Sequence, residues 1–436
     1  MLDTGTTGII VGILLFFMLT FGVHIGVALG LSGVVGIFLA INPQASFAQV
    51  ATIPFSTTNS FTLAVIPLFI LMGALASQAG LTTDLYRAAY RWLGRISGGL
   101  AMATTLASAI FGAACGSTIV NAAVFTKMAM PEMTKFGYDK RISAGCIAAS
   151  GTLASLIPPS VLMIVYAVIT EQSVARLLIA GLIPGIMSAA IYMIGIYFIA
   201  RLYPKLCPIP DERFTLREKI SSLKGVWGIM ALFTLVIGGI YLGFFVPTYA
   251  GAVGAFGAFM IVLLKGRMNS RSLVETFKDA GITTSTIFIV VIGGIIFARF
   301  LTYTGLVRDV SDWMLAMELA PLTYMLVFAG LYLILGMLID PIAIMVMTLP
   351  IMFPVMTSVG YDPIWLGVIS IKLAEISLIT PPVGLNAYVV RSSSPVPLTL
   401  EQVFAGITPF LVMDVLTLAL LIAFPSIVTF LPNLMN

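Results

Sequence analysis

The sequence predicts an all-α polytopic membrane protein built from two inverted structural repeats. Each repeat carries one re-entrant helical hairpin and one broken helix. Three observations lead there. First, 59% of the 436 residues are hydrophobic and 9% are charged, with mean hydropathy +1.09. An average soluble domain is about 25% charged. The apolar runs are long and continuous, as spanning helices require, and not the short alternating segments of a membrane barrel. Second, Pro158-Pro159 and Pro381-Pro382 interrupt the apolar stretches 143–166 and 364–388. Proline donates no N–H and crowds the carbonyl four residues back. A helix through these pairs would free the carbonyls of Ala154 and Ser155, and of Ser377 and Leu378. Such carbonyls are tolerated at membrane depth only when buried in protein or lining a wet cavity. Third, motifs recur at an offset of 223 or 225 residues, the difference being a two-residue insertion. Pro381 follows Pro158 by 223 residues, as Gly360 follows Gly137 and Pro354 follows Pro131. Ala405-Gly406-x-x-Pro409 follows Ala180-Gly181-x-x-Pro184 by 225, as Gly305 follows Gly80.

Charge sets the two copies in opposite directions. The loop 135–141 carries Lys135, Lys140 and Arg141, whereas its counterpart 358–364 has no lysine or arginine. The segment 81–95 has three arginines against Asp84; its counterpart 306–320 has Arg308 against Asp309, Asp312 and Glu318. Cytoplasmic loops carry the excess of lysine and arginine. That rule places 135–141, 201–224 and 265–280 inside and 356–363 outside.

Taken in order, residues 8–41 are too long for one comfortable span of about 20 residues; Gly22, His24 and Gly26 offer a turn between two short ones, with one long tilted helix as the alternative. Residues 42–60 are polar, with Pro43 and Pro54, and read as a loop. A span follows at 61–79. Arg87, Arg91 and Arg95 recur every four residues, on one face of an amphipathic surface helix. Residues 98–130 are rich in small residues, with a GAACGS turn at their middle, and read as the first hairpin. The loop 130–141 leads to the first broken helix and a span at 176–200. Residues 201–224 are the longest charged segment. Spans follow at 225–246 and 248–264, then a basic loop over 265–280 and a span at 282–300. Gly305-Leu306 opens the second surface helix. Residues 321–355 form the second hairpin, with Gly336 and Asp340 at its turn. The second broken helix and a span at 403–424 complete the chain. The domain division is a scaffold over 1–60, the first repeat over 61–200, cytoplasmic segment and scaffold spans over 201–280, and the second repeat over 281–436.

Several function classes are disfavoured. Cys115, Cys146 and Cys207 lack metal-ligand spacing, and the single His24 builds neither a metal site nor a triad alone. No enzyme is expected, because no nucleophile and base or metal motif stands out. No GxxxxGK[ST] loop is present, so ATP is not the direct driver. The net charge of +4 is mostly loop lysine and arginine and says little about nucleic acid, which is not expected as a partner. Residues 1–8 lack a basic n-region, so no cleavable leader is expected. Two broken helices in corresponding positions instead point to a transporter binding site at the repeat interface.

The stretch GxxxxSTIVNAAVF, the loop MPEMxxxGYD, the segment SLIPPSVxxIxYxxITxxSV and the later GMLIDPIAIMxxxxPIxxPV and ITPPVGLN span essentially the whole chain. Together they resemble the large membrane subunit of the TRAP (tripartite ATP-independent periplasmic) transporters. The resemblance implies a cation-coupled elevator carrier of small organic anions in a bacterial or archaeal inner membrane. It implies two partners besides the lipid bilayer: a small four-helix membrane subunit on a separate chain and a periplasmic substrate-binding protein. It implies no cofactor beyond sodium as coupling ion, near the hairpin tips and broken helices.

Sodium prefers oxygen ligands, which freed carbonyls and hydroxyls supply without net charge. One candidate set is Gly112, Ser117, Ser150, Gly151, Ser155 and Pro158. The other is Gly336, Asp340, Thr380, Pro381 and Gly384. Tight packing of small residues is the alternative for both. Asn121, Ser160 and Asn386 are candidates for the substrate, with helix–helix hydrogen bonding as the alternative for the amides. Helix N-termini after Pro159 and Pro382 attract an anion through their dipoles. Asp340 is either functional or a helix cap ahead of Pro341. Glu375, an acid inside the membrane, is either functional or, as the preferred reading, a structural ion pair with Lys372 three residues earlier. A stand-alone dicarboxylate or citrate carrier of the same architecture, or a channel, are the competing transport readings.

Overall fold

A computed structural model describes residues 3–267 and 269–435. Helices α1 (Thr4–Thr20) and α2 (Ile25–Ala40) split the first apolar run at 21–24, which decides for two short helices over one long tilted one. Helix α3 (Pro43–Thr58) corrects the expected loop over 42–60. Asn42 caps it, its Oδ1 accepting from the Ala45 N–H at 2.7 Å, and Pro43 takes the first helical position. Both are helix-start chemistry that a polar composition disguises. Ser46 Oγ donates to the Val34 carbonyl at 2.7 Å and ties α3 to α2.

Helix α4 (Val65–Gln78) turns by 63° into the surface helix α5 (Leu81–Leu93). Gly80 stands at this corner with φ +69° and Gly305 at its counterpart with φ +77°, a backbone region that glycine enters without steric cost. Helix α5 ends before Arg95, so only Arg87 and Arg91 share its face. Arg91 donates to the Glu218 carbonyl at 3.4 Å, and its guanidinium lies 5.9 Å from the Phe214 ring centre. Asp84 of the same helix pairs with Lys265.

Helices α6 (Gly99–Cys115) and α7 (Thr118–Lys135) form the first hairpin. Helix α7 runs through Pro131, so the expected loop 130–141 shortens to 136–139. Helices α8 (Lys140–Leu156) and α9 (Val161–Ile169) are the broken pair, bent by 45°. Helices α10 (Val174–Ala180) and α11 (Leu182–Leu202) make the next span, followed by the charged segment with α12 (Leu216–Leu223). Helix α13 (Trp227–Phe233), a π turn (Thr234–Gly238) and α14 (Gly239–Tyr241) lead to α15 (Pro247–Leu264).

The basic loop expected over 265–280 is instead mostly helix. Helix α16 (Ser270–Tyr303) runs for 34 residues behind an Asn269 cap. Helix α17 (Leu306–Leu315) is the second surface helix, α18 (Pro321–Gly336) and α19 (Pro341–Ser358) the second hairpin, and α20 (Pro363–Ile379) and α21 (Leu385–Ser393) the second broken pair. Helix α22 (Leu400–Ala423) is the final span, and α23 (Ser426–Asn433) closes the chain. Among the described residues, five helices are long and apolar enough to cross a membrane, or up to eight with each bent pair as one span. The protein is an all-helical multi-pass membrane protein.

The repeat is visible in the elements. Shifting α2 by 225 gives 250–265, the place of α15; shifting α3 and α4 gives 268–283 and 290–303, the place of α16. The two segments expected to be loops are therefore the same element, joined to the following span in one copy and separate in the other. The copies also exchange partners. Helix α2 packs on α16 of the other copy, and α15 packs on α4. Leu306 of α17 approaches Gly8 of α1, and Leu81 of α5 approaches Gly228 of α13. Helix α9 packs on α19 and α20, while α21 packs on α7 and α8. This reciprocal crossing is a pseudo-two-fold arrangement, and the opposite charge bias of equivalent loops gives it the sense of an inversion.

The α2–α16 crossing leaves no space for a side chain. A Cβ on Gly293 would lie 1.8 Å from the Gly26 carbonyl oxygen. Small residues permit this approach in lipid, where packing and not hydrophobicity holds helices together. Gly293→Ala is expected to cost about 1–3 kcal/mol by overpacking. Thermal unfolding in detergent checks this. Gly12→Ala, whose Cβ would meet nothing within 4 Å, is the neutral control.

Candidate functional site

Both breaks fall where the prolines put them. Helix α8 stops at Leu156, its last bond running from the Ile157 N–H to the Leu153 carbonyl at 2.9 Å. The carbonyls of Ala154 and Ser155 lie in its final turn, which has no intrahelical donors left. At the second break the Thr380 N–H donates to the Ser377 carbonyl at 3.2 Å, so Ser377 is not freed. The Pro158-Pro159 and Pro381-Pro382 bonds are both cis. The breaks differ in surroundings: Pro158 and Pro159 are buried, whereas Pro381 and Pro382 are exposed on this chain.

The tip of the first hairpin closes onto the first break. Gly116, with φ +62°, lies so close that a Cβ there would sit 2.7 Å from the Pro159 carbonyl oxygen. A Cβ on Gly112 would lie 2.7 Å from the Ala154 Cα. Thr118 Oγ1 and Ser155 Oγ share a hydrogen bond across the same contact. Ser117 holds the cap position of α7, yet its hydroxyl makes no cap bond. Ser150 bonds Thr105 through its hydroxyl at 2.9 Å, and its carbonyl accepts from Ser108 Oγ at 2.8 Å. Gly112, Ser117, Ser155 and Pro158 thus meet where the hairpin tip closes on the break, whereas Ser150 packs on Thr105 and Ser108 of α6 and Gly151 on Ala122 of α7, away from the cavity. Of this first candidate set, Ser117 and Ser155 face open space.

That space is a cavity of about 270 Å³ lined by Ser117, Thr118, Ser155, Thr283, Thr286 and Asp340. Three structural parts meet there: the tip of the first hairpin, the first break and the tip of the second hairpin. Helix α16 forms most of the remaining wall, with Ile70 of α4 and Leu378 of α20 completing it. A second cavity, of about 610 Å³, adjoins it through Ser117 and Thr283 and is lined by Gln78, Glu275 and Asp279. Glu275 and Asp279 lie near the N-terminal end of α16, beside the basic 265–280 region. The polar seam therefore runs from that end of α16 inward to Asp340.

The second candidate set is not gathered in the same way. Asp340 caps α19, its Oδ1 accepting from the Ile342 N–H at 2.9 Å, and it also lines the cavity of the first set. Gly336 packs on Ser377; a Cβ there would meet Ser377 Oγ at 2.0 Å. Thr380 donates its hydroxyl to the Ile376 carbonyl at 2.6 Å. Gly384, with φ +55°, lies beyond the exposed prolines beside Phe404. Sequence spacing grouped Asp340 with Thr380, Pro381 and Gly384; the fold places it opposite Ser117 and Ser155.

The amides expected to meet a carboxylate are engaged with helix carbonyls. Asn121 Nδ2 donates to Ser108 at 3.1 Å and Gly151 at 3.4 Å, and Asn386 Nδ2 donates to Ala148 at 3.1 Å. Both are wholly buried, and neither lines the two cavities. Ser160 Oγ caps α9 by accepting from the Met163 N–H at 3.3 Å. The Lys372–Glu375 pair forms, but at 3.7 Å it is the looser of two. Asp414, overlooked within the apolar run of α22, holds Lys372 Nζ at 2.6 Å. An acid inside an otherwise apolar span is the signal that marks it in the sequence.

The sequence model described as "Tripartite ATP-independent periplasmic transporter, DctM component" matches residues 12–427. The chain belongs to this family. It is 36% identical to a Pseudomonas aeruginosa protein named C4-dicarboxylate TRAP transporter large permease protein DctM, over 93% of this chain and 94% of that one. It is 30% identical to a Vibrio cholerae protein named sialic acid TRAP transporter large permease protein SiaM, over 86% and 87%. Among solved structures, the Alcanivorax borkumensis YdaH transporter, described as having an unusual topology, aligns over 88% of this chain and 90% of that one. Its TM-score is 0.57 at 14% identity, a likeness of fold alone. As a DctM-family large permease, the chain is a transport component and not an enzyme.

Proposed function

We propose that this chain is the large membrane subunit of a sodium-coupled importer of a small organic anion. The C4-dicarboxylates and sialic acid in the names of its relatives set the substrate class. It works in a bacterial or archaeal inner membrane with a small four-helix subunit. A periplasmic binding protein delivers the substrate.

The observation that carries this reading is the cavity where both hairpin tips and the first break meet against α16. Hydroxyls of Ser117 and Ser155, the carboxylate of Asp340 and carbonyls of a helix end are the hard oxygen donors a sodium ion selects. A cation there ties the two hairpins to the break. It also adds positive charge beside the N-terminus of α9, where an anion is favoured. Gly336, Thr380, Pro381 and Gly384 form the corresponding candidate on the second break. Both hairpins and both broken pairs move as one bundle past a scaffold that includes α2, α4, α15 and α16, with α5 and α17 as its lateral arms.

The test is uptake into proteoliposomes holding this chain and its small partner, under an inward sodium gradient, with candidate organic acids. Uptake is expected to need both sodium and the binding protein, and to fall to background without either. Sodium-driven uptake without the binding protein assigns the stand-alone carrier instead.

A further inference from the structure

Away from the cavity, three ionisable groups share one dry site. Lys372 and Glu375 of α20 and Asp414 of α22 are all wholly buried. Lys372 Nζ donates to Asp414 Oδ1 at 2.6 Å, and Tyr192 Oη of α11 donates to the same oxygen at 2.6 Å. Lys372 also lies 5.9 Å from the Tyr192 ring centre. Glu375 is left with an ammonium 3.7 Å away, and neither of its carboxylate oxygens has a hydrogen-bond partner. The charge count does not close: two carboxylates face one cation. A buried charge persists when it is paired and hydrogen-bonded. Asp414 meets that condition with two donors, and Glu375 does not.

Among the described residues, no other ionisable side chain supplies the missing charge. Tyr332 of α18 packs toward Ser370, and Tyr166 of α9 lies against Gly367, each more than a turn away along α20. The groups that face Glu375 are Lys372, Asp414 and Tyr192.

We infer that Glu375 is a proton-binding site within the protein. It carries a proton beside a Lys372–Asp414 ion pair, so that the buried cluster is electrically neutral. A protonated carboxyl needs no cationic partner and is the smallest change that closes the count. The site is separate from the candidate sodium ligands but not remote from them. Leu378, one turn further along α20, lines the cavity. Water reaching that wall gives the proton a route of exchange. The inference concerns the charge state of this cluster and does not depend on sodium being the coupling ion.

Infrared spectroscopy of the intact protein in lipid tests it. Glu375 is the one wholly buried glutamate among the described residues. With ¹³C-labelled glutamate, the wild-type protein at neutral pH is expected to show the C=O stretch of a protonated carboxyl group. That band shifts on deuteration, persists in saturating sodium chloride and is lost in Glu375→Gln. Should that variant not fold, the isotope shift in the wild type still decides, since the remaining glutamates are exposed or half-buried. Absence of a labelled-glutamate band, or its survival in Glu375→Gln, overturns the proposal. Disappearance of the band on adding sodium also overturns it and assigns the site to that cation.

Discussion

Lys372→Met is expected to be the most damaging substitution in the core. It removes the cation and leaves the buried Asp414 carboxylate without its ion-pair partner, beside a neutral Glu375. Breaking a buried ion pair from one side costs about 3–5 kcal/mol, because the surviving charge stays desolvated. Methionine keeps much of the aliphatic stem, so lost packing is a small part of the effect. Denaturant unfolding in mixed micelles reads the loss directly. The double variant Lys372→Met/Asp414→Leu is expected to recover most of it, since no unpaired ammonium or Asp414 carboxylate then remains. The recovery stops short because Tyr192 Oη loses its acceptor, at about 1–3 kcal/mol for an unsatisfied buried group. Additive losses would mean that Lys372 and Asp414 do not act as a pair, against the 2.6 Å contact between them.

Gly116→Val is expected to have the largest effect on transport. The residue has φ +62°, where a β-branched side chain is strained. Its Cβ would also lie 2.7 Å from the Pro159 carbonyl oxygen, which is backbone and cannot swing aside. The hairpin tip must then lift from the break, separating Ser117 from Ser155. A loss of about 1.4 kcal/mol in sodium binding is a tenfold rise in the sodium concentration needed for half-maximal uptake. We expect at least that shift, with the protein still inserted and folded. Sodium titration of uptake measures it. An unchanged titration would mean that the contact between hairpin and break plays no part in cation binding.

The features legible in the sequence were those with local marks. Paired prolines disclose a break by removing donors. The GAACGS turn discloses a hairpin by its small residues. The repeat shows as an offset of 223 or 225 residues, marked by Gly80 and Gly137 and their counterparts Gly305 and Gly360, which hold positive φ at equivalent corners. The errors have local causes too. Residues 42–60 and 265–280 are polar enough to pass for loops, and the caps at Asn42 and Asn269 were missed for that reason. The site was only partly legible. Gly112, Ser117, Ser155 and Pro158 come together because the hairpin and break are neighbours in sequence. Asp340 faces Ser117 across an interface between repeats, and no spacing along the chain encodes that. Asp414 meets Lys372 across 42 positions, so its role is a property of the packing of α20 against α22.

The relative motion of bundle and scaffold is the claim to test most directly. Ile119 at the first hairpin and Thr286 on α16 both line the cavity, one from the bundle and one from the scaffold. Cysteines at both positions, in a background with Cys115, Cys146 and Cys207 replaced, can be joined by a short reducible cross-linker. Uptake with sodium, the small subunit and the binding protein is then measured before and after reduction. The account predicts that the cross-linked protein is arrested and that reduction restores uptake. Full uptake by the cross-linked protein would contradict it, because the hairpins would then work without moving past α16.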